Sequence, residues 1–584
     1  MTAAFGRVAL AAALLMSPLA AQGAAPTPEA RVGLRAGWMD AAQAAWNMRL
    51  VSTTPPTAEF IPTEPGDFNY MNSDMAFLGH YVIQGSFRGF QVWDVADPAH
   101  PALVHVHACP DMQSDVSVYR NLLFVSGEST NGRLDCGAQG VQDSVSADRF
   151  RGIRIYDISD IAHPRSVANV QTCRGSHTHT VVTDANDTGA VYVYVSGQAP
   201  VRSPNELAGC SSVPPDQDSS SALFRIEIIR VPLAAPEQAR IVNRPRLFTA
   251  LTEPASHGSA ATDSVQAARA ADATRPGPDQ CHDITVYPAI GLAGGACAGY
   301  GLLLDIKDAA HPVRIAAAAD SNFSYWHSAT FNNDGTKVLF SDEWGGGVGA
   351  KCRATDHPEW GADALFTIAN GALTFQGYYK LPAPQTAEEN CVAHNGSLIP
   401  VPGRDIMAQG WYQGGISVFD WTDPKHPTEI AYFDRGPMDS TRLEAAGSWS
   451  AYWYNGNIYS SEIGRGLDIL ELQPSALLSQ NEIDAAKTVT VGYQNVQDQQ
   501  RIVWPASFAV ARAYLDQLER SNGLAAERIT AVRAALVGAE RQGGTARGRA
   551  LTTLASQLDR DAAAASDAAK VKTLAAAVRD LVAR

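Results

Sequence analysis

The stretch GFQVWDVADPAHP, residues 89–101, alternates apolar residues as far as Asp94 and then breaks at Asp97-Pro98 and His100-Pro101. Period-two alternation reads as a strand, and the Asp and Pro residues after it form a turn that starts the next strand. The same phrase returns as GIRIYDISDIAHP at 152–164, GLLLDIKDAAHP at 301–312 and GISVFDWTDPKHP at 415–427. In every copy the step from the strand's Asp (Asp94, Asp157, Asp305, Asp420) to the closing Pro is seven residues. A unit repeated at this scale marks a repeat architecture.

Before each copy lies a second short apolar strand: HYVIQG at 80–85, LLFVSGE at 122–128, DIMAQG at 405–410 and, ahead of the degenerate GLDILEL, NIYSSE at 457–462. Before those come SDMAF, SDVSV, HTHTV, HDITV, HSATF, HNGSL and SWSAY, beginning at residues 73, 114, 177, 282, 327, 394 and 448. Asn333-Asp334-Gly335 and Asn455-Gly456 sit where tight hairpins between first and second strands need residues that tolerate positive φ. The spacing predicts an all-β fold, a seven-bladed β-propeller with four strands per blade. Residues 48–51 are available as the outer strand that closes the last blade and removes an open edge. Polar inserts at 135–148, 202–221 and 253–280 read as surface loops.

These strands resemble the LVIVD-repeat family, exported bacterial and archaeal propellers in which one such strand recurs per blade. The resemblance covers about residues 67–474 and is specific in four blades. LFRIEIIRVPLAAP at 223–236 and LFTIANGALTFQG at 365–377 depart from it by lacking the Asp-to-His-Pro turn. The family implies fold and export and no single activity.

Residues 1–25 read as a signal peptide, with Arg7, an apolar run and small residues Ala20 to Ala25. The expected division is then 1–25 signal, 26–66 N-terminal segment, 67–474 propeller and 475–584 helical domain. The last part is Ala-, Leu- and Arg-rich at helical spacing, beginning after Pro505 with Phe508, Ala511, Leu515 and Leu518 on one face, and predicts a helical hairpin or small bundle. Periplasmic or extracellular localisation follows from the signal. A formal charge of −15 argues against nucleic acid and anionic lipid as partners, and no apolar stretch in the mature chain approaches a bilayer span. A small molecule or a surface partner remains.

Eight cysteines, an even number, point to disulfides. Cys109, Cys173, Cys281 and Cys391 precede first strands, while Cys136, Cys210, Cys297 and Cys352 follow second strands on the same face. Sequence-order pairing, Cys109–Cys136, Cys173–Cys210, Cys281–Cys297 and Cys352–Cys391, is one of about 105 connectivities. Each bridge would contribute roughly 3 to 4 kcal/mol in the chain-entropy model.

Aligned on their first residue, the seven first strands begin Ser73, Ser114, His177, His282, His327, His394 and Ser448. Four histidines therefore hold one structural position on four successive blades, at one mouth of the channel. Second strands return there and end at Glu128, Glu343 and Glu462, placed to accept the imidazoles' other N–H. His179 is a fifth candidate imidazole, and Trp326 and Trp411 are candidate pocket walls. Neutral imidazoles bind Fe, Cu or Zn, and the layout is similar to that of carotenoid cleavage oxygenases and selenium-binding propellers, whose sequence motifs are missing here. The alternative is that duplication copied one histidine and each copy bonds water or loop backbone, as serine at the other three positions allows. His100, His163, His311 and His426 belong to the recurring turn and read as structural. No phosphate loop, dinucleotide fingerprint or nucleophile elbow appears in context, which leaves no nucleotide cofactor and no serine hydrolase. The residues thus predict a metal-dependent exported propeller, an oxidoreductase; the alternative is a non-catalytic cell-surface or periplasmic binding protein.

Overall fold

The structure, a computed structural model, describes residues 25–27, 29–61, 68–251 and 279–582. The signal-peptide reading at 1–25, Ala25 apart, and nearly all of the 253–280 insert fall outside these residues. Among them the chain is mostly β, with helices gathered at the C-terminal end.

Strands pair antiparallel in order along the chain, giving sheets of four or five strands and one sheet of nine. The nine-stranded sheet divides where Asn395 and Gly396 pair in parallel with Ser450 and Ala451, leaving an antiparallel run on either side. Each resulting unit starts with one first strand: Asn72–Leu78, Val116–Tyr119, Thr178–Val182, Cys281–Tyr287, Trp326–Phe331, Asn395–Ile399 and Ser448–Tyr454. Consecutive first strands pack on one another, and Ser448–Tyr454 packs back on Asn72–Leu78, so the ring closes. This is a propeller-like arrangement. Second and third strands such as Leu122–Gly127 and Gly89–Asp94 are buried along almost their whole length because each sheet lies between two others. Outer strands such as Ala102–Ala108 are partly exposed.

The repeated turn repeats its hydrogen bonds. Asp97, Asp160, Asp308 and Asp423 each hold a histidine Nδ1 three residues on, at 2.9, 2.9, 3.0 and 2.9 Å. The same carboxylates accept the N–H two residues on, as Asp97 does from Ala99 at 3.0 Å. These are Asx turns, and the four histidines are exposed. The units lacking that turn still complete four strands, with Glu227–Pro232 and Arg240–Asn243 in the third and Asp363–Ala369 and Ala372–Tyr379 in the fifth.

The N-terminal segment joins the last two units. Met48–Thr54 pairs with Gly466–Leu472 as the outer strand of the last unit, and Gln43–Trp46 adds a fifth strand beside Thr428–Arg435. Arg31, fully buried, anchors the segment through Glu429 at 2.7 Å. All eight cysteines are bridged, in the sequence-order pairing.

After Gln480–Lys487, whose N-terminus is closed by a Ser479–Glu482 capping box, residues 491–502 cross the far mouth of the channel. Asn495 takes both backbone groups of Val118, at 2.7 and 2.8 Å, and Gln499 takes both of Phe331, at 2.9 and 2.8 Å. Backbone bonds from Val286 to Gln497 and from Gln499 to Val286 (2.8 and 2.9 Å) lie between. This strap ties first strands of the first, second, fourth and fifth units. Helices Phe508–Arg520, Ala526–Glu540, Gly544–Asp561 and Ala568–Asp580 then form a bundle around Leu515, Leu536, Leu558 and Leu574. The bundle docks on the sixth unit, where Trp504 Nε1 and Gln517 Nε2 donate to the carbonyls of Pro400 and Pro402 at 2.6 and 2.8 Å. No described helix is long and apolar enough to cross a membrane.

Asn495→Ala strips both Val118 backbone groups of their partners. It is expected to cost about 1–3 kcal/mol, read as a lower urea midpoint at unchanged slope; an unchanged midpoint would show that the strap does not hold the ring.

Candidate metal centre

The four aligned histidines come together at one mouth. His177 Nε2 lies 2.9 Å from His282 Nε2. The His282 and His327 rings are 3.9 Å apart between centroids, and those of His327 and His394 are 4.1 Å apart. They form an arc that descends into the protein: the His177 side chain is 16 % exposed and those of His327 and His394 are 1 % exposed.

Oxygen atoms behind the rings set their orientation. Glu128 Oε2 accepts from His177 Nδ1 at 2.6 Å, and Glu128 Oε1 accepts the Gln198 and Ala199 N–H groups at 2.8 and 2.9 Å. Burial would raise the Glu128 pKa, but His177 and these N–H groups hold it below the usual carboxylate value. Asp283 Oδ1 lies 2.9 Å from His282 Nδ1. His394 Nδ1 donates to the carbonyl of Trp449, which turns Nε2 inward as a lone pair. That nitrogen has no hydrogen-bond partner and lies 3.6 Å from Glu343 Oε1. His327 Nε2 is 3.8 Å from Glu343 Oε2, and its buried Nδ1 has no partner.

Two imidazole nitrogens 2.9 Å apart need a proton or a cation between them. Two ligands at right angles or tetrahedral angles around an ion, with bonds of about 2.0–2.1 Å, stand about 2.8–3.4 Å apart. Burial pulls the His177 pKa down, but Glu128 outweighs it and the value is raised, so a proton can fill that place. Burial, reinforced by neighbouring imidazoles, holds His327 well below its usual value, and burial takes His394 to about 3. Both deep rings are therefore neutral, as ligands must be. Among the described residues three groups have ligand atoms within 4.8 Å of one another. One, His107 with Cys109 and Cys136, has its sulfurs tied up in a disulfide. The other two lie here and could hold a metal ion: His282, Asp283 and His327, and His327, Glu343 and His394. They share His327. With all eight sulfurs oxidised, the donors are nitrogen and oxygen, and thiolate-selected metals are disfavoured.

Other expectations are redirected. Glu462 does not back an imidazole: it is taken up by Arg465 Nη1 at 2.8 Å and by the Gly447 and Gly464 N–H groups at 3.1 and 2.9 Å, because a buried guanidinium stands three residues away. His179 does not reach the cluster. Its Nδ1 meets Ser126 Oγ at 2.8 Å, and burial lowers its pKa to about 3. Trp326 packs on Phe323 and Phe340, and Trp411 on Tyr379, so both are core residues and not pocket walls.

The residues that do wall the mouth, Phe87, Tyr325, Tyr412 and Trp449, escape a reading by strict alternation. Pairing slips between Asn72 and Met75, Cys281 and Ile284, Trp326 and Ala329, and Ser448 and Ser450. A bulge at the start of a first strand re-aims side chains, so parity fails where the site lies. Tyr412 donates to Glu343 Oε1 at 2.5 Å. Gly347, at φ +71°, makes room for it: a Cβ there would stand 2.4 Å from the tyrosine hydroxyl.

Below the histidines, Asp74, Asp115 and Asp283 occupy the channel one residue on from Ser73, Ser114 and His282. Asp74 accepts from Tyr452 Oη at 2.7 Å and Asn395 Nδ2 at 2.9 Å. Burial first, and mutual repulsion next in Asp115, raises the carboxyls, Asp74 to about 7.

No family model matches the chain, and no curated protein matches it. Among solved structures it is similar to the periplasmic gluconolactonase of Pseudomonas aeruginosa, at 13% identity and a TM-score of 0.41 over 68% of this chain and 96% of that one. It is also similar to the Dos1 propeller, at 11% identity and a TM-score of 0.38 over 70% and 79%. The architecture described above rests on the chain's own strand pairing.

Asp74 carries a folded pKa of about 7 against an ordinary 3.8, so the folded state binds the extra proton between those values and loses stability as pH rises through them. Asp74→Asn removes that loss. Its thermal midpoint relative to the unsubstituted protein should therefore rise between pH 5 and pH 8; midpoints that run parallel would contradict the assignment.

Proposed function

We propose that this chain is an exported, metal-dependent β-propeller of seven blades, of the LVIVD-repeat kind, and that it works as an oxidoreductase at the histidine mouth. One observation carries the reading: His177 and His394 commit Nδ1 to oxygen acceptors, His282 Nδ1 faces another, and Nε2 atoms are left facing inward. Such backing oxygens fix the tautomer and raise the basicity of a metal-bound imidazole.

His282, His327 and His394 would hold the ion, with His177 as the outermost nitrogen and Glu343 as the adjoining carboxylate. Iron or copper there would supply electron transfer to or from a bound molecule. The chain's own contribution is orientation and exclusion of water. Glu128 and the Trp449 carbonyl aim the rings, the strap at 491–502 closes the far mouth, and four disulfides brace the loops around the near one. Export is supported by those disulfides and by the signal-like residues 1–25.

Protein folded in an oxidising compartment and assayed by elemental analysis should carry about one equivalent of iron or copper per chain. His327→Ala and His394→Gln should lose it while unfolding cooperatively. Protein that stays metal-free after supplementation with iron, copper and zinc would overturn the reading.

A further inference from the structure

A cavity of about 260 Å³ opens above the histidines, with His177, His282, His394 and Glu343 at its base. It exceeds the ~150 Å³ that holds a benzene molecule in a protein core and falls short of the roughly 300 Å³ at which drug-sized pockets begin. One ring with a short substituent fits that volume.

The walls are aromatic and set at right angles. Phe87 and Trp449 meet edge to face at 6.3 Å and 81°, and Tyr412 and Trp449 at 6.2 Å and 82°. Perpendicular rings present both faces and edges, which suits a flat guest. At the rim Val348 is 43 % exposed, and Gly346, with open space where a Cβ would stand, leaves the entrance free. Among the described residues no lysine or arginine lines the cavity.

That last fact decides the charge of the guest. In the metal-free protein an anion enclosed by these walls would lose its water with no lysine or arginine among the described lining residues to replace it, His177 being already paired with Glu128, and burying an uncompensated charge is expensive. A cation would fare no better. The only carboxylate among the described lining residues, Glu343, already accepts from Tyr412.

We infer that the site takes an uncharged, single-ring aromatic molecule bearing one oxygen function, its ring against the walls that Phe87 and Trp449 form and its oxygen turned toward the histidines. The direction of the oxygen rests on the metal reading; the selection of an uncharged ring rests on the walls alone.

Three probes of one shape test this: benzyl alcohol, benzoate and benzylamine, titrated calorimetrically at pH 7 into the full-length protein, metal-loaded and chelator-treated. Benzyl alcohol should bind the chelator-treated form at least tenfold more tightly than either charged probe. Trp449→Leu should weaken it at least tenfold, while Phe87→Arg should turn the preference toward benzoate. Binding of benzoate or benzylamine to the chelator-treated form within twofold of the alcohol, or no binding of any probe, would overturn the inference. Metal content, measured on the same samples before chelation, decides the metal reading separately, since the preference for the alcohol is read after chelation.

Discussion

Closure of the first strands into a ring is the constraint on which the site depends. Each first strand starts at the same mouth, so one aligned position becomes a circle of side chains, and four histidines distant in the chain become neighbours. Without closure, His177 and His394 would lie three sheets apart in an open stack. The ring is held at its seam by Met48–Thr54 against Gly466–Leu472 and at the far mouth by Asn495 and Gln499, whose amides replace missing backbone partners on Val118 and Phe331. Both devices come from segments outside the repeats.

The channel layers its chemistry. Uppermost is an aromatic cup, then imidazoles backed by oxygen, then the carboxyls Asp74, Asp115 and Asp283. Burying neutral imidazoles costs less than burying charge, which is why His327 and His394, deep in the cluster, have strongly depressed basicity. His177, nearest solvent and against Glu128, is pushed the other way. The gradient matches a site in which a cation enters from one side and meets nitrogen lone pairs.

Much of this was legible in the residues. Four copies of one turn phrase located the third strands, and the alignment they imposed put His177, His282, His327 and His394 in register. Cysteines flanking the same strands made sequence-order pairing geometrically cheap, and that is the pairing found. What periodicity cannot see is a bulge. At Trp326 and Ser448 the slip in pairing sends Trp326 into the core and places Trp449, rather than the aligned Ser448, on the cavity wall. Glu462 was misread for a different reason: Arg465, three residues on, claims it. The strap at 491–502 was missed because alternate Asn495, Gln497 and Gln499 look like a polar linker until there are strand ends for them to cap.

The central claim is that the inward nitrogens hold one ion. X-ray absorption at the edge of the metal that copurifies with the full-length chain tests it most directly. The account predicts a shell of three or four nitrogens at about 2.0–2.1 Å with the outer-shell signature of imidazole and no sulfur; a sulfur shell, or a shell of oxygens alone, would contradict it.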